Sequence, residues 1–137
     1  MLCYIYLIGV NFYKQQTAIG IIEIGKRLIE AKEQVSHGEW GKWLEEKVEF
    51  TQSTATRFMK CYNEYDANFV ATHNLGTDKL FKLLTIPQEE REDFISKPHE
   101  VNGQTKTVED MTSRELQKII KFFNCIYFIY IFSNIKS

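Results

Sequence analysis

The chain has 137 residues, enough for one domain with a sizeable core, and 44% of them are hydrophobic against 26% charged. This composition excludes a disordered, collagen-like or low-complexity chain, and seven Gly with two Pro are too few for a loop-rich, disulfide-stapled miniprotein. Seventeen basic against eighteen acidic residues give a formal charge of −1, so binding to nucleic acid would require a local basic patch.

The two apolar ends, residues 1–10 and 119–132, are rich in Ile, Tyr and Phe, which favour strands. They either pair as strands or extend the flanking helices. The first is not typical of a signal peptide, and the second would reach about 21 Å as a helix, short of a bilayer core of roughly 30 Å. We therefore expect no integral membrane span. Without a polar face the second end is also a poor surface-lying helix, so we expect the two ends to cover each other, within one chain or across a homodimer.

The first clear helix is predicted from Tyr13 to Gln34, where apolar residues recur at helical spacing. Its predicted buried face consists of Ile21, Ile24, Leu28, Ala31 and Val35. Core packing is the simpler interpretation of this face, and a dimer seam is the alternative. Gly38 is a natural stop for the helix.

A helix-turn-helix outline follows. A short helix over 39–48 carries Trp40 and Trp43, which we expect to be largely buried together with Leu44 and Val48. Thr51 is a good N-cap for a second helix over residues 52–64, with a predicted buried face of Ala55, Phe58, Met59 and Tyr62. Its outward side chains can hydrogen-bond base edges and phosphates, and they are Gln52, Ser53, Thr56, Arg57 and Lys60.

Two observations count against reading DNA with this unit. Residues 39–65 carry five glutamates against four basic residues, whereas DNA-binding surfaces usually carry a basic stripe. The turn also contains no glycine. A helical hairpin packed only for stability would show the same periodicity, so both interpretations stay open.

The second half predicts a smaller helical set. Helices are expected over 78–84, capped by Thr77, and over 88–96, entered through Pro87. Asn102-Gly103 predicts a short β-hairpin within residues 100–108, with a disordered loop as the alternative. As a wing, it would bring Lys97, His99 and Lys106 near a phosphate backbone. A Thr112–Glu115 capping box opens the last helix.

These elements predict a mainly α fold: one small multi-helix domain over residues 1–137 with a helix-turn-helix-like unit. The long helix and that unit occupy residues 12–66, and the smaller helical set occupies 77–124. Cys3, Cys61 and Cys125 are widely spaced among apolar residues, which predicts reduced and mostly buried thiols. Because no metal-ligand spacing, nucleotide-binding loop or hydrolase motif is present, we expect no catalytic residue, no metal and no cofactor.

Several segments resemble an uncharacterised domain family of phages and plasmids. They are Ile24-Gly-Lys-Arg-Leu-Ile-Glu-Ala-Lys32, Gly38-Glu-Trp-Gly-Lys-Trp-Leu44, Pro87-Gln-Glu-Glu-Arg-Glu-Asp-Phe94 and Asp110-Met-Thr-Ser-Arg-Glu-Leu116. The resemblance covers roughly residues 19–121 and excludes both apolar ends. The short helices are also distantly similar to the central region of ParB-type partition proteins, whose nucleotide-binding motifs this sequence lacks. The resemblance implies a mobile element in a bacterium.

The leading functional prediction is a cytoplasmic helix-turn-helix protein that binds double-stranded DNA in the regulation or maintenance of such an element. The alternative is a protein-binding module that inhibits a host enzyme or defence complex. Near-neutral charge, aromatic residues and acidic helix faces favour the alternative.

Overall fold

The computed structural model describes residues 2–136, apart from the side chains of residues 2–4, 6, 7, 11, 15 and 71. About 75% of the chain is helical, with one small antiparallel sheet, which confirms the predicted mainly α class. The chain divides into two compact units, Met1–Phe81 and Lys82–Ser137. A single domain over residues 1–137 stays a prediction.

The first unit contains five helical segments, and it ends inside a sixth, because the two units divide between Phe81 and Lys82. They are α1 (Leu2–Gln34), α2 (Trp40–Trp43), a π-helical turn (Leu44–Val48), α3 (Gln52–Glu64) and α4 (Ala67–Thr72), followed by α5 (Thr77–Leu83). The second unit contains α6 (Gln88–Ser96), β1 (His99–Val101), β2 (Gln104–Lys106), a 3-10 turn (Val108–Asp110) and α7 (Ser113–Ile135). Both apolar ends extend the flanking helices, so of the two alternatives for them the helical one holds.

Helix α1 is 33 residues long and begins well before the predicted start at Tyr13. Its buried side runs along Ala18, Ile21, Ile22, Gly25 and Leu28. The predicted face was correct at Ile21 and Leu28 and wrong at Ile24, which is 39% exposed. The difference arises because α3 crosses α1 at Gly25, and Ile24 lies about 100° further round the helix.

The predicted helix over 39–48 is a short α-helix that widens into a π-helical turn. Glu49 then adopts the left-handed conformation (φ 58°, ψ 33°), which supplies the reversal usually given to a glycine. Thr51 caps α3 by accepting a hydrogen bond from the Thr54 N–H at 3.1 Å, as predicted.

The buried face of α3 consists of Ala55, Phe58 and Cys61. Two predicted members of this face are wrong: Met59 is only half-buried and Tyr62 is exposed. Beyond the helix, the buried Tyr65 hydroxyl donates to the Leu80 carbonyl at 2.6 Å. Compared with the prediction, the buried side of α3 is therefore shifted round the helix, away from Met59 and Tyr62 and toward Cys61.

The hairpin of the second unit follows its predicted turn. Asn102 and Gly103 both have positive φ, 51° and 80°, and β1 pairs with β2 so that His99 faces Lys106. The predicted capping box of α7 is also present, since Thr112 and Glu115 exchange hydrogen bonds of 3.0 and 3.1 Å.

Helix α7 is buried at Leu116 and Ile120 and becomes exposed toward its end. Among the described residues it is the one helix that is long and apolar enough to cross a membrane, by length and composition alone, and little of it is buried. Whether the two apolar ends cover each other stays a prediction.

Candidate functional site

The predicted contact residues of α3 lie together on its solvent side. All five are exposed, and they follow the same side of the helix: Gln52, Ser53, Thr56, Arg57 and Lys60. Ala55, Phe58 and Cys61 lie buried on the opposite side. The structure therefore brings the predicted residues onto one accessible helical surface, which we call the α3 face.

Helix α3 is held rigidly behind this surface. The Phe58 ring stacks on Phe50 at 5.2 Å between centroids and meets Phe81 edge-on at the same distance. The Phe58 carbonyl lies against Gly25 of α1, at a spacing that leaves no room for a side chain there. Such packing fixes the orientation of the outward side chains without using any of them.

Two members of the α3 face have local roles. The Thr56 hydroxyl donates to the Gln52 carbonyl at 2.8 Å, so its oxygen keeps lone pairs for a further donor. The Gln52 side-chain amide lies directly over Gly41 of α2. By contrast, in the described part of the chain neither Arg57 nor Lys60 forms an ion pair.

A cleft of about 400 Å³ runs beside the α3 face, between α1 and α3. Lys60 lines it from α3 and Lys32 from α1, with Glu33 on the same side as Lys32. Lys32 also lies 5.9 Å from the centre of the Trp40 ring. The cleft adds Lys32 and Asn63 to the site, which the sequence prediction missed. Asn63 continues the spacing 52, 56, 60, 63 along one face, so helical periodicity would have found it.

Charge is segregated within the helix-turn-helix-like unit. Residues 52–63 contain two basic residues and no acidic one, although the chain has eighteen. The glutamates of the unit lie on the other segments and at the end of α3: Glu39, Glu45, Glu46, Glu49 and Glu64. The near-neutral total therefore conceals a local positive face.

The two tryptophans are less buried than predicted. Trp40 and Trp43 stack in parallel, with centroids 5.4 Å apart and planes 10° from parallel, and each is half-exposed. Leu44 is the fully buried residue of this segment. The two indoles lie on the same side of α2, and the stacked pair is only half-buried, with Lys32 of the cleft 5.9 Å from the centre of the Trp40 ring.

The three side chains predicted to bind phosphate at the hairpin make contacts within the second unit. Lys106 donates to both carboxylate oxygens of Glu115 at 3.0 and 3.3 Å, and Lys97 pairs with Asp93 at 2.7 Å. The Asp93 carboxylate raises the pKa of Lys97 above its ordinary value. His99 lies 2.7 Å from the Phe94 carbonyl through Nε2. Each of these three side chains therefore already has a partner in the second unit, and a phosphate contact through them stays a prediction.

The cysteine prediction holds only in part. Cys61 is buried, whereas Cys125 is exposed on α7, and the Cys3 side chain lies outside the described residues. Within residues 2–136, as far as the side chains are described, no group of three His, Cys, Asp or Glu side chains could hold a metal ion.

Comparison with known proteins identifies a family. Residues 7–122 match the family model described as protein of unknown function, DUF3102. The match begins at residue 7, before the predicted start at about residue 19, so residues 7–10 of the first apolar end lie inside the family domain, contrary to the predicted extent. No curated protein and no solved structure matches the chain significantly.

Proposed function

The chain belongs to the DUF3102 family, and from its own surface we propose that it binds double-stranded DNA through the α3 face. The main support is the composition of that face, which consists of hydroxyl, amide and basic side chains and has no carboxylate between residues 52 and 63. Amide and hydroxyl groups read base edges, and exposed cations bind phosphates or guanine.

The surroundings of α3 support this use. A recognition helix enters the major groove with its N-terminal half toward the bases, and Gln52, Ser53 and Thr56 occupy that half. Arg57 and Lys60 follow on the same side, and Lys32 adds a third cation across the cleft. Because only three cations lie on this face, we expect one chain to bind DNA weakly. Such an affinity suits a protein that binds its operator as a dimer or beside a partner.

The family resemblance extends the proposal to context. Segments such as Gly38–Leu44 resemble phage and plasmid proteins, and the short helices are distantly similar to ParB-type partition proteins. We therefore propose regulation or maintenance of a mobile element as the setting, with the protein in the bacterial cytoplasm.

The test is a titration of fluorescently labelled duplex DNA, bearing random sequence, with the full chain at several salt concentrations. We expect binding at low salt that weakens with salt. Arg57→Ala/Lys60→Ala should keep its fold, because both side chains are exposed, and should reduce the salt slope by about two charges. Lys14→Ala/Lys26→Ala removes two exposed cations of α1 and serves as the matched control.

The proposal fails if the wild-type chain shows no duplex binding at low salt. It also fails if the control pair reduces the salt slope as much as the α3 pair does, because binding would then depend on total charge and not on the α3 face.

A second candidate function, binding of a host protein, has one specific observation in its favour. A groove of about 660 Å³ in the second unit has an aromatic floor that includes Phe94 and Phe123. Glu90 and Glu100 lie at its edge, which suits a basic, apolar segment of a partner. Loss of partner binding in Phe122→Ser, which changes an exposed side chain that lines the groove, with DNA binding unchanged, would support this candidate.

A further inference from the structure

Helix α7 carries one continuous exposed stripe along its length. The stripe repeats at alternating spacings of four and three residues and consists of Arg114, Lys118, Lys121, Cys125, Phe128, Phe132 and Ile135. On the opposite side Leu116 and Ile120 are buried, and Phe123 contacts Phe94 edge-on at 5.2 Å. The stripe therefore points away from the rest of the second unit.

The stripe changes character halfway along the helix. Its first half consists of three cations, and none of them forms an ion pair within the described residues. From residue 122 to 135 the helix has no charged residue, and Phe128 and Ile135 are 72% and 78% exposed. A basic half and an aromatic half thus follow each other on one face.

The last part of α7, from residue 128 onward, is exposed on all sides. Every residue from 128 to 136 is exposed, including Ile129 and Tyr130, which lie off the stripe. A protein partner that docked on the stripe would leave those side chains in water. A second copy aligned in parallel would place Lys118 and Lys121 against like charges. A lipid surface takes up the exposed aromatic side of the helix and supplies anionic phosphates for Arg114, Lys118 and Lys121, which give α7 the polar part that residues 122–135 lack.

We propose that this stripe attaches the protein to an anionic membrane surface. The cations lie on the headgroups, and Phe128 and Phe132 enter the outer part of the hydrocarbon. Lys136, just beyond the helix, reaches back to the headgroups. Helix α7 as a whole is long enough to cross a bilayer, but its uncharged run is 14 residues, about 21 Å, which is shorter than a hydrocarbon core of roughly 30 Å. The attachment that we propose is therefore peripheral.

The test is flotation of the full chain with large vesicles of phosphatidylcholine, with and without phosphatidylglycerol. We expect binding that requires the anionic lipid and weakens with salt. Lys118→Gln/Lys121→Gln should lower partitioning about thirtyfold, at roughly fivefold per cation. Phe128→Ser/Phe132→Ser should lower it by about tenfold or more per ring.

Matched controls are Lys42→Gln/Lys47→Gln for charge and Ile24→Ser for apolar exposure, all at exposed positions of the first unit. The proposal is overturned if the wild-type chain does not float with anionic vesicles or if the controls lose as much binding as the stripe variants. It is also overturned if light scattering finds a dimer that Phe128→Ser/Phe132→Ser dissociates while flotation stays absent. In that case the stripe is an interface between copies.

Discussion

The backbone carbonyl of Phe58 lies so close to Gly25 that any side chain on Gly25 would overlap it. Helices α1 and α3 can therefore cross this closely only because Gly25 has no side chain. Gly20, five residues earlier on the same helix, has open space where its side chain would be. The two glycines form a natural matched pair for testing how α3 is held.

We expect Gly25→Ala to destabilise the protein by about 1–3 kcal/mol, because the helices must separate. Gly20→Ala should stabilise it by up to about 1 kcal/mol, because alanine favours a helix interior over glycine. Chemical denaturation measures both. Equal effects of the two substitutions would contradict the close crossing.

Leu44 and Trp43 are neighbours with opposite environments. Leu44→Ala should cost about 2–5 kcal/mol, because it empties a fully buried position. Trp43→Ala should cost less, about 1–2 kcal/mol, because the indole is half-exposed and loses mainly its stacking on Trp40. The sequence alone predicts 3–5 kcal/mol for Trp43. A larger loss at Trp43 than at Leu44 would show that the indole is an essential part of the core.

Arg91 is a buried cation that closes the end of α5. Its guanidinium donates to the carbonyls of Leu83, Leu84 and Ile86 at 2.9, 3.3 and 2.8 Å. Arg91→Met keeps most of the volume and removes every donor, so we expect a loss of at least about 3 kcal/mol in thermal or urea unfolding. Arg114→Met, at an exposed position, is the control and should change stability little.

Glu115 gives the second unit a specific pH dependence. The Thr112 backbone N–H and then the Lys106 ammonium hold the pKa of its carboxyl below the ordinary value. Because the pKa is lower in the folded state, the resulting stability is present above the unfolded-state pKa and is lost as the pH falls through the folded one. Glu115→Gln should therefore flatten the fall in unfolding free energy as the pH drops through and below the ordinary glutamate range, about pH 4–5. An unchanged slope in that range would contradict this role.

Two truncations test the tail of α7. Removing residues 128–137 should leave the melting temperature unchanged, because every described residue there is exposed. Removing residues 124–137 also deletes the hydrogen bonds of Tyr127 to Glu89, 3.1 Å, and of Asn124 to the Thr85 carbonyl, 3.3 Å. We expect this longer deletion to lower the melting temperature, and to cause aggregation or loss of a dimer if the two ends cover each other. Unchanged mass and melting temperature would contradict that pairing.

Local signals predicted the fold best. The caps at Thr51 and Thr112, the Asn102-Gly103 turn and the entry through Pro87 all act over three or four residues, and each was found where the sequence placed it. Helix α4 was missed because it has six residues and little periodicity, although the Asp66 side chain caps it at 2.9 Å. The α1 face was misjudged at Ile24 because a crossing centred on glycine has no apolar side chain to mark it.

The candidate site was predicted in composition but not in its surroundings. Exposure of Arg57 and Lys60 follows from the periodicity of α3 alone. The neighbouring Lys32 comes from another helix, and the pairing of Lys106 with Glu115 joins a strand to α7. Both depend on tertiary packing, which a single sequence does not reveal.

Helix α1 joins a packed half and an exposed half on one continuous backbone. Ala18, Ile21, Ile22 and Leu28 are buried, whereas Ile5, Ile8 and Val10 are more than half exposed. A backbone amide hydrogen exchanges with solvent only when its hydrogen bond opens. Opening costs more free energy where it also disrupts side-chain packing. Amide hydrogens after residue 18 should therefore exchange only when the whole unit opens, while those near residue 8 exchange by local fraying. A gradient of exchange rates along one helix would locate the point where tertiary structure takes over from helix propensity.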